Sequence, residues 1–298
     1  MLLMMERNKL NNKIINKNNM SLELVKKLRE VSGAGIVDCQ RALKEAGDDF
    51  DKAIEILRKN GQQIVNKTAD RIAKEGVIVF YSTENNRAGA IVEVGCETDF
   101  VARNEDFLKY ANIVAKATCE NNVNTIEELM DSLIDGKKLI EYQNEIIAKI
   151  KEKIEVKRFT RRTVDNGVVG SYIHFDKRSG CLLVISNVED NSKTMSIVKD
   201  LGMHIVALKP QYLSKDDVPD DIIKKEKEIL LNQPDLKNKP AEIAEKIVQG
   251  RINKFYSENC LIEQLFVKDD SKTVKQVVEG LGKNARIESF VLYELAAQ

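Results

Sequence analysis

Apolar positions along this chain change period twice, and the changes divide it. Between residues 21 and 61 they recur at helical spacing in three short runs. Leu24, Leu28 and Val31, joined by Leu22 and Val25, make the first stripe. Cys39, Ala42, Leu43 and Ala46 make the second, and Phe50, Ala53, Ile54 and Leu57 the third. Gly33-Ala34-Gly35 and Gly47-Asp48 separate the runs, and Gly61 reads as the stop of the last. Residues 62–75 are polar and mixed in charge, a linker with a helical turn. Beyond them the pattern becomes that of strands. Gly76-Val77-Ile78 and Gly89 to Val94 bracket a turn at Asn85-Asn86; Gly167-Val168-Val169 and Gly180 to Ile185 bracket another at Asp176-Lys177.

These two hairpins are copies of one another. Gly76, Val77, Tyr81, Arg87 and Gly89 correspond to Gly167, Val168, Tyr172, Arg178 and Gly180, and Ile113-Val114-Ala115 in the helix that follows echoes Ile205-Val206-Ala207. Repetition at this scale predicts two similar hairpin-plus-helix subdomains. Residues 124–153 read as two helices broken near Gly136, Val156 to Val164 as a third strand for one sheet, and Arg286 to Glu294 as the third strand for the other. Antiparallel hairpins with segregated helices give an α+β class. Residues 210–259 return to the helical period: Asp217 caps, Pro219 starts, and Ile222, Glu226 and Ile229-Leu230 repeat. Pro234 and Pro240 mark a turn, and Ile243, Ile247-Val248, Arg251 and Phe255 return. That narrow seam suits a protruding antiparallel coiled coil. The expected organisation is a three-helix module at 21–61, a linker at 62–75, a first α+β subdomain at 76–165, a second at 166–209 with 260–298, and the coiled-coil hairpin at 210–259.

One stretch carries candidate chemistry. The apolar run Ala90 to Val94 passes through a polar corner into a helical pattern at Phe107, Tyr110, Ala111, Val114 and Thr118. The corner holds one large aromatic, Phe100, beside a carboxylate, Asp99. Strand-to-helix corners commonly present side chains to a partner. The alternative is that Asp99 or Asn104 caps the helix while Phe100 packs inward. The second copy has Glu189-Asp190-Asn191 at this place, polar throughout. A purely architectural Phe100 would have an apolar counterpart there, so the asymmetry favours an exposed, functional Phe100.

Composition narrows the function classes. Of 298 residues 43% are apolar and 32% charged, enough to bury a core and stay soluble. Lys plus Arg and Asp plus Glu are 47 each, leaving no basic field to hold a nucleic acid. Five cysteines, odd in number, far apart and without C-x-x-C spacing, indicate neither a disulfide framework nor a zinc site, and suit a reducing compartment. His174 and His204 are the only histidines, and His204, between Met203 and Ile205, reads as a core or interface residue. No apolar run approaches the ~20 residues of a membrane span. A phosphate loop, a nucleophile–base pair and clustered ligands are all missing, so no catalytic residue, metal or cofactor is assigned. Residues 1–20, rich in Asn and Lys, read as a disordered tail or a mis-assigned start before Met20. A transit peptide would be rich in Arg and Ser, whereas only Arg7 precedes Ser21.

Thr98-Asp99-Phe100-Val101 in this setting resembles the signature of the elongation factor Ts family, the nucleotide exchange factors of the translational GTPase elongation factor Tu. Further segments fall in the family's order: Leu24 to Arg29 running into Gly33-Ala34-Gly35, Gly170-Ser171-Tyr172, Met203 to Ala207 with Lys209-Pro210, and Lys239-Pro240 through Lys246 with Gly250-Arg251. Gln264-Leu265-Phe266-Val267 is similar to the family's Gln-Pro-Phe-Val, with Leu265 in place of proline. The match runs from Ser21 to Leu295, and the further C-terminal helical module of many members is not expected. The resemblance implies an exchange factor that binds GDP-bound elongation factor Tu, with no direct nucleic-acid or membrane partner. Its contacts beside the magnesium and phosphate site would be Thr98, Asp99, Phe100 and Val101, with Phe100 as a wedge. It also implies a ubiquitin-associated-like three-helix module that docks on the GTPase domain through Arg29, Ile36 and Val37. The residues alone leave open that Ile36 and Val37 are core. A ubiquitin-type adaptor or scaffold without exchange activity remains the alternative function, although Ser32-Gly33-Ala34-Gly35 departs from the Met-Gly-Phe-like loop of ubiquitin readers. The implied location is a bacterial-type cytoplasm, or an organelle if residues 1–19 are a targeting segment.

Overall fold

The computed structural model describes residues 22–234, 236 and 239–296; the expected tail at residues 1–20 lies outside them. Three helices come first: α1 (residues 22–32), α2 (Ile36–Glu45) and α3 (Phe50–Thr68). Gly33 and Gly47, at φ +66° and +68°, take the left-handed turns between them that a Cβ disfavours. Asp49 caps α3 by accepting from the Lys52 N–H. Val25, Leu28, Cys39, Ala42, Leu43 and Ala53 form their common core. Gly61 does not stop α3, which runs on to Thr68. The glycine is a packing position instead, where an added Cβ would lie 3.1 Å from the Cβ of Ala148.

The chain continues through β1 (Glu75–Ser82), β2 (Ala88–Cys96), a single turn α4 (Asp99–Ala102), α5 (Glu105–Glu120) and α6 (Ile126–Asp131). Where a simple break near Gly136 was expected there is a small hairpin, β3 (Leu133–Ile134) with β4 (Lys137–Lys138), before α7 (Leu139–Ile150). Asp135 and Gly136, both at positive φ, make its turn. Then come β5 (Glu155–Thr163), β6 (Gly167–Ile173), β7 (Ser179–Ser186), α8 (Ser192–Leu208), α9 (Asp220–Leu231) and α10 (Ala241–Asn259). The last elements are β8 (Leu265–Phe266), β9 (Asp269–Thr273), α11 (Val274–Glu279) and β10 (Arg286–Glu294). Both expected third strands form, giving sheets of order β1-β2-β5 and β10-β7-β6. The fold is a mixture of helix and sheet of the α+β class.

The chain folds as two compact units. Among the described residues, one comprises those up to 76 with 95–110 and 130–155; the other comprises 77–94, 111–129 and those from 156 onward. In the second unit the sequence repeat becomes a reciprocal clasp. The Ile78 N–H donates to Lys177 O (2.8 Å) and the Val169 N–H to Asn86 O (2.7 Å). Val164 N–H donates to Arg87 O (2.9 Å), and Leu295 N–H to Arg178 O (2.8 Å). Ile78 and Val169, Asn86 and Lys177, Arg87 and Arg178 are equivalent in the repeat, so each copy's turn holds the other's strand. Ile78, Ile91, Val169, Leu182, Val184, Tyr293 and Leu295 are buried between the strands. On the other side of β6 and β7, α8 buries Val198, Leu201 and Ile205 with Val168, Leu183 and Ile185.

His204 is a core residue: its Nε2–H donates to Gln264 Oε1 (2.8 Å) while its Nδ1 accepts from the Val267 N–H (3.2 Å). That pairing needs the neutral ring, and burial pushes its pKa down accordingly. Leu265 is exposed in β8 and pairs with Thr273. The helical hairpin departs from expectation in two details. Asp217 does not cap α9; it closes a capping box with Ser214 around a short 3-10 turn, and Pro219 precedes the helix. The seam of α9 and α10 is Leu230, Leu236, Val248 and Ile252, flanked by Ile247 and Tyr256. Ile229 and Ile243, expected in that seam, are exposed. No helix among the described residues is long and apolar enough to cross a membrane.

Candidate functional site

The corner after β2 is built from capping groups. Thr98 is the N-cap of α4, and its Oγ1 accepts from the Val101 N–H at 3.4 Å. The turn closes with Ala102 N–H on Thr98 O (3.1 Å) and Asn104 N–H on Val101 O (2.9 Å). Asn104 then restarts the helix, its Oδ1 accepting from Asp106 N–H (2.9 Å) and Phe107 N–H (3.3 Å). Asn104 caps as expected; Asp99 does not, and sits in the first turn of α4 facing Arg103 at 3.4 Å. Below this run, Val101 is buried at the corner and Phe107 is fully buried in α5. Phe100, one residue before Val101, is 82% exposed, so the reading in which it packs inward falls.

An exposed phenylalanine forgoes roughly 1.5–3 kcal/mol of burial energy. The rest of the corner is correspondingly well held. The Glu152 carboxylate accepts from Glu97 N–H (3.2 Å), Thr98 N–H (3.1 Å) and Thr98 Oγ1–H (2.8 Å). Asp106 pairs with Lys149 of α7 at 2.6 Å. The Lys149 hydrogen bond holds the Asp106 carboxyl below the usual range, so its contribution is present at neutral pH and lost on acidification. Tyr110 donates to Gln143 Oε1 (2.9 Å), and burial raises its hydroxyl pKa strongly. Sequence reasoning missed Glu152 and Lys149, because nothing local connects α7 to a corner some fifty positions earlier.

The second group of expected contacts lies on the three-helix module. Arg29 is exposed on α1, and Ile36 and Val37 are 49% and 66% exposed at the start of α2. The reading in which Ile36 and Val37 are core is therefore overturned. Val31, expected in the first apolar stripe, is 66% exposed at the end of α1. The module's own core takes Cys39, Ala42 and Leu43 from α2; by helical period Val37 lies away from that face, whereas Ile36, three residues before Cys39, sits at its exposed end.

These two surfaces expose Phe100, Ile36 and Val37 together with the Asp99 carboxylate. Among the described residues no group of three or more His, Cys, Asp or Glu is placed to hold a metal ion. Comparison with known proteins gives the family. The family model described as Elongation factor TS matches residues 97–297. Elongation factor Ts of Clostridium botulinum strain Alaska E43 is 42% identical over 280 residues, covering 92% of this chain and 92% of that protein. The protein of the same name from strain Eklund 17B matches to the same extent, and that of strain ATCC 19397 is 40% identical over 282 residues. With two thirds of the sequence under the family model and such relatives over nearly all of it, the chain belongs to the elongation factor Ts family.

Proposed function

We propose that this protein is a guanine-nucleotide exchange factor that binds elongation factor Tu in its GDP-bound form and promotes GDP release during translation elongation. The observation that carries the proposal is Phe100: a large aromatic, 82% exposed, on a turn held at both ends by the Thr98 and Asn104 caps. Phe100 acts as the wedge. It enters the GTPase beside the groups that hold magnesium and the β-phosphate, with Asp99 next to it. Thr98 and Val101 fix the turn from below. Burying one Phe removes about 150–250 Å² from water, a ceiling of roughly 4–6 kcal/mol. Factor and nucleotide weaken each other by the same ratio, since coupling between two sites is reciprocal.

The three-helix module, of ubiquitin-associated-like form, supplies affinity through Arg29, Ile36 and Val37. Of the two α+β subdomains, at 76–165 and at 166–209 with 260–298, the first carries the corner, and 210–259 forms the coiled-coil hairpin. The protein has no catalytic site, metal or cofactor of its own, and works in a bacterial-type cytoplasm without nucleic-acid or membrane partners. A ubiquitin-type adaptor is disfavoured by family membership and by the glycine-rich first loop.

The test is release of fluorescent GDP from elongation factor Tu by the parent and Phe100→Ala proteins. The variant is expected to fold and associate, with stability within ~0.5 kcal/mol as for a surface site. Its release should be slower by about tenfold or more, a coupling loss of ~1.4 kcal/mol. A stable variant that exchanges at the parent rate would sink the wedge.

A further inference from the structure

A single helical turn does not hold itself. Helix nucleation is unfavourable, and α4 spans only Asp99–Ala102. The direction in which Phe100 projects must therefore be set from outside the turn. The group in position to do so is Glu152. Its Oε2 accepts from the N–H groups of Glu97 (3.2 Å) and Thr98 (3.1 Å), and its Oε1 from the Thr98 hydroxyl (2.8 Å). That hydroxyl in turn accepts from the Val101 N–H, so the carboxylate orients the cap and the cap orients the turn.

The arrangement is reciprocal. The Glu97 carboxylate accepts from the Lys153 N–H (2.6 Å) and from Arg71 Nη1 (3.3 Å), which also reaches Lys151 O (3.4 Å). Two chain segments, 97–98 and 151–153, thus exchange carboxylate-to-amide bonds in both directions. Glu152 reaches this place because Lys151 ends α7 in a left-handed conformation (φ 67°), its N–H closing on Ile147 O at 2.7 Å. The chain turns off the helix there and delivers the next side chain to the corner.

We propose that Glu152 is the positioning residue of the exchange corner, holding the backbone of Glu97 and Thr98 so that Phe100 is presented at a fixed angle. The proposal rests on the exchange reading of that corner. Glu152 touches neither nucleotide nor magnesium; it acts through Thr98 on Phe100.

The experiment measures GDP release across factor concentrations for the full-length protein and for Glu152→Gln, Glu152→Ala and Phe100→Ala. Glu152→Gln keeps the shape and one acceptor oxygen but loses the charge. Its maximal release rate is expected to fall several-fold, and that of Glu152→Ala by about tenfold, as for loss of charge-assisted hydrogen bonds. Half-saturation should stay within about twofold, because rim contacts such as Arg29, Ile36 and Val37 set encounter and are untouched. Hydrogen exchange should quicken at the Glu97 and Thr98 amides alone. Thr98→Val, which loses both hydroxyl bonds, should follow Glu152→Ala. If both Glu152 variants release GDP at the parent maximal rate while Phe100→Ala is slow, the positioning role is wrong and the wedge stands. A loss confined to half-saturation, or faster amide exchange throughout β2 and α5, overturns it as well. Slow Glu152 variants beside a normal Phe100→Ala would also overturn it, since the residue would then not act through Phe100.

Discussion

At the second strand-to-helix corner, β7 passes to α8 through Asn187 to Asn191, and Asn187, Asp190 and Asn191 each find a hydrogen-bond partner. Asn187 Nδ2 donates to Asn284 O (3.0 Å), Asn166 Nδ2 donates to Asn187 Oδ1 (3.2 Å), and Asn86 Nδ2 donates to Asp190 Oδ2 (3.1 Å). Asn191 caps α8, which then runs unbroken from Ser192 to Leu208. At the first corner the corresponding helix is interrupted. Aligning Ile113 with Ile205 puts Phe100 level with Ser192, yet the first copy makes one turn, breaks at Arg103-Asn104, and begins again at Glu105. The break detaches a turn from the core-facing helix, and that turn carries Phe100 outward. A continuous helix like α8 would fix the direction of this side chain by the packing of the whole helix. A detached turn frees it from that constraint, and capping groups and Glu152 must then hold it.

The comparison breaks most sharply at the two phenylalanines of the first corner. Phe107 is fully buried, and Phe107→Ala should cost ~3–5 kcal/mol in urea denaturation, with a clear fall in the thermal midpoint. Phe100→Ala, seven residues earlier, should leave both nearly unchanged. Similar costs at the two positions would mean that the turn is not detached from the core at all.

The scaffold beneath the corners should behave symmetrically. A Cβ on Gly89 would lie 2.8 Å from Val169 Cγ1, and one on Gly180 would lie 2.5 Å from Ile173 Cδ1 and 3.2 Å from Ile78 Cγ2. Gly89→Ala and Gly180→Ala should each destabilise by ~1–3 kcal/mol through overpacking, to a similar degree. A large cost at one and none at the other would show that the clasp is symmetric in hydrogen bonds but not in packing.

How much of this was legible in sequence follows from how local each signal is. The repeat, both third strands and the α+β class were readable, because alternation and recurring Gly, Tyr and Arg positions lie in contiguous runs. The asymmetry of Phe100 against the wholly polar second corner, Glu189-Asp190-Asn191, was readable for the same reason. Gly61 was misread because a glycine signals a stop locally, while here its missing Cβ serves contact with Ala148. The seam of α9 and α10 was shifted by one position. Ile229 and Ile243 look more apolar than Ala244, but small Ala244 is the buried one. Glu152 gave no signal, since a carboxylate that accepts from backbone N–H groups leaves no pattern in the residues it binds.

Helix caps separate the corners at a finer level. Asn191→Ala removes the acceptor for Thr194 N–H at 2.9 Å and should cost ~1 kcal/mol of stability, with GDP release unchanged. Thr98→Ala should cost a similar ~1 kcal/mol but slow release, because the same hydroxyl serves Glu152. Equal behaviour in the release assay would erase the functional difference between the copies.

The smallest expected effect concerns Asp99. It faces Arg103 at 3.4 Å, four residues on, with side chains 52% and 82% exposed. An exposed pair of this spacing is worth ~0.3–0.5 kcal/mol at most, less once salt screens it. Arg103→Ala should therefore leave stability nearly unmoved. Among the described residues the second corner shows no such pair, so the question is whether Arg103 holds Asp99 for the partner or merely lies beside it. If it merely lies beside it, GDP release should stay within about twofold of the parent, and that difference should vanish at high salt. A slowing comparable to Phe100→Ala that survives high salt would make Arg103 part of the wedge. The detached turn would then present a charged pair together with the aromatic, and not the aromatic alone.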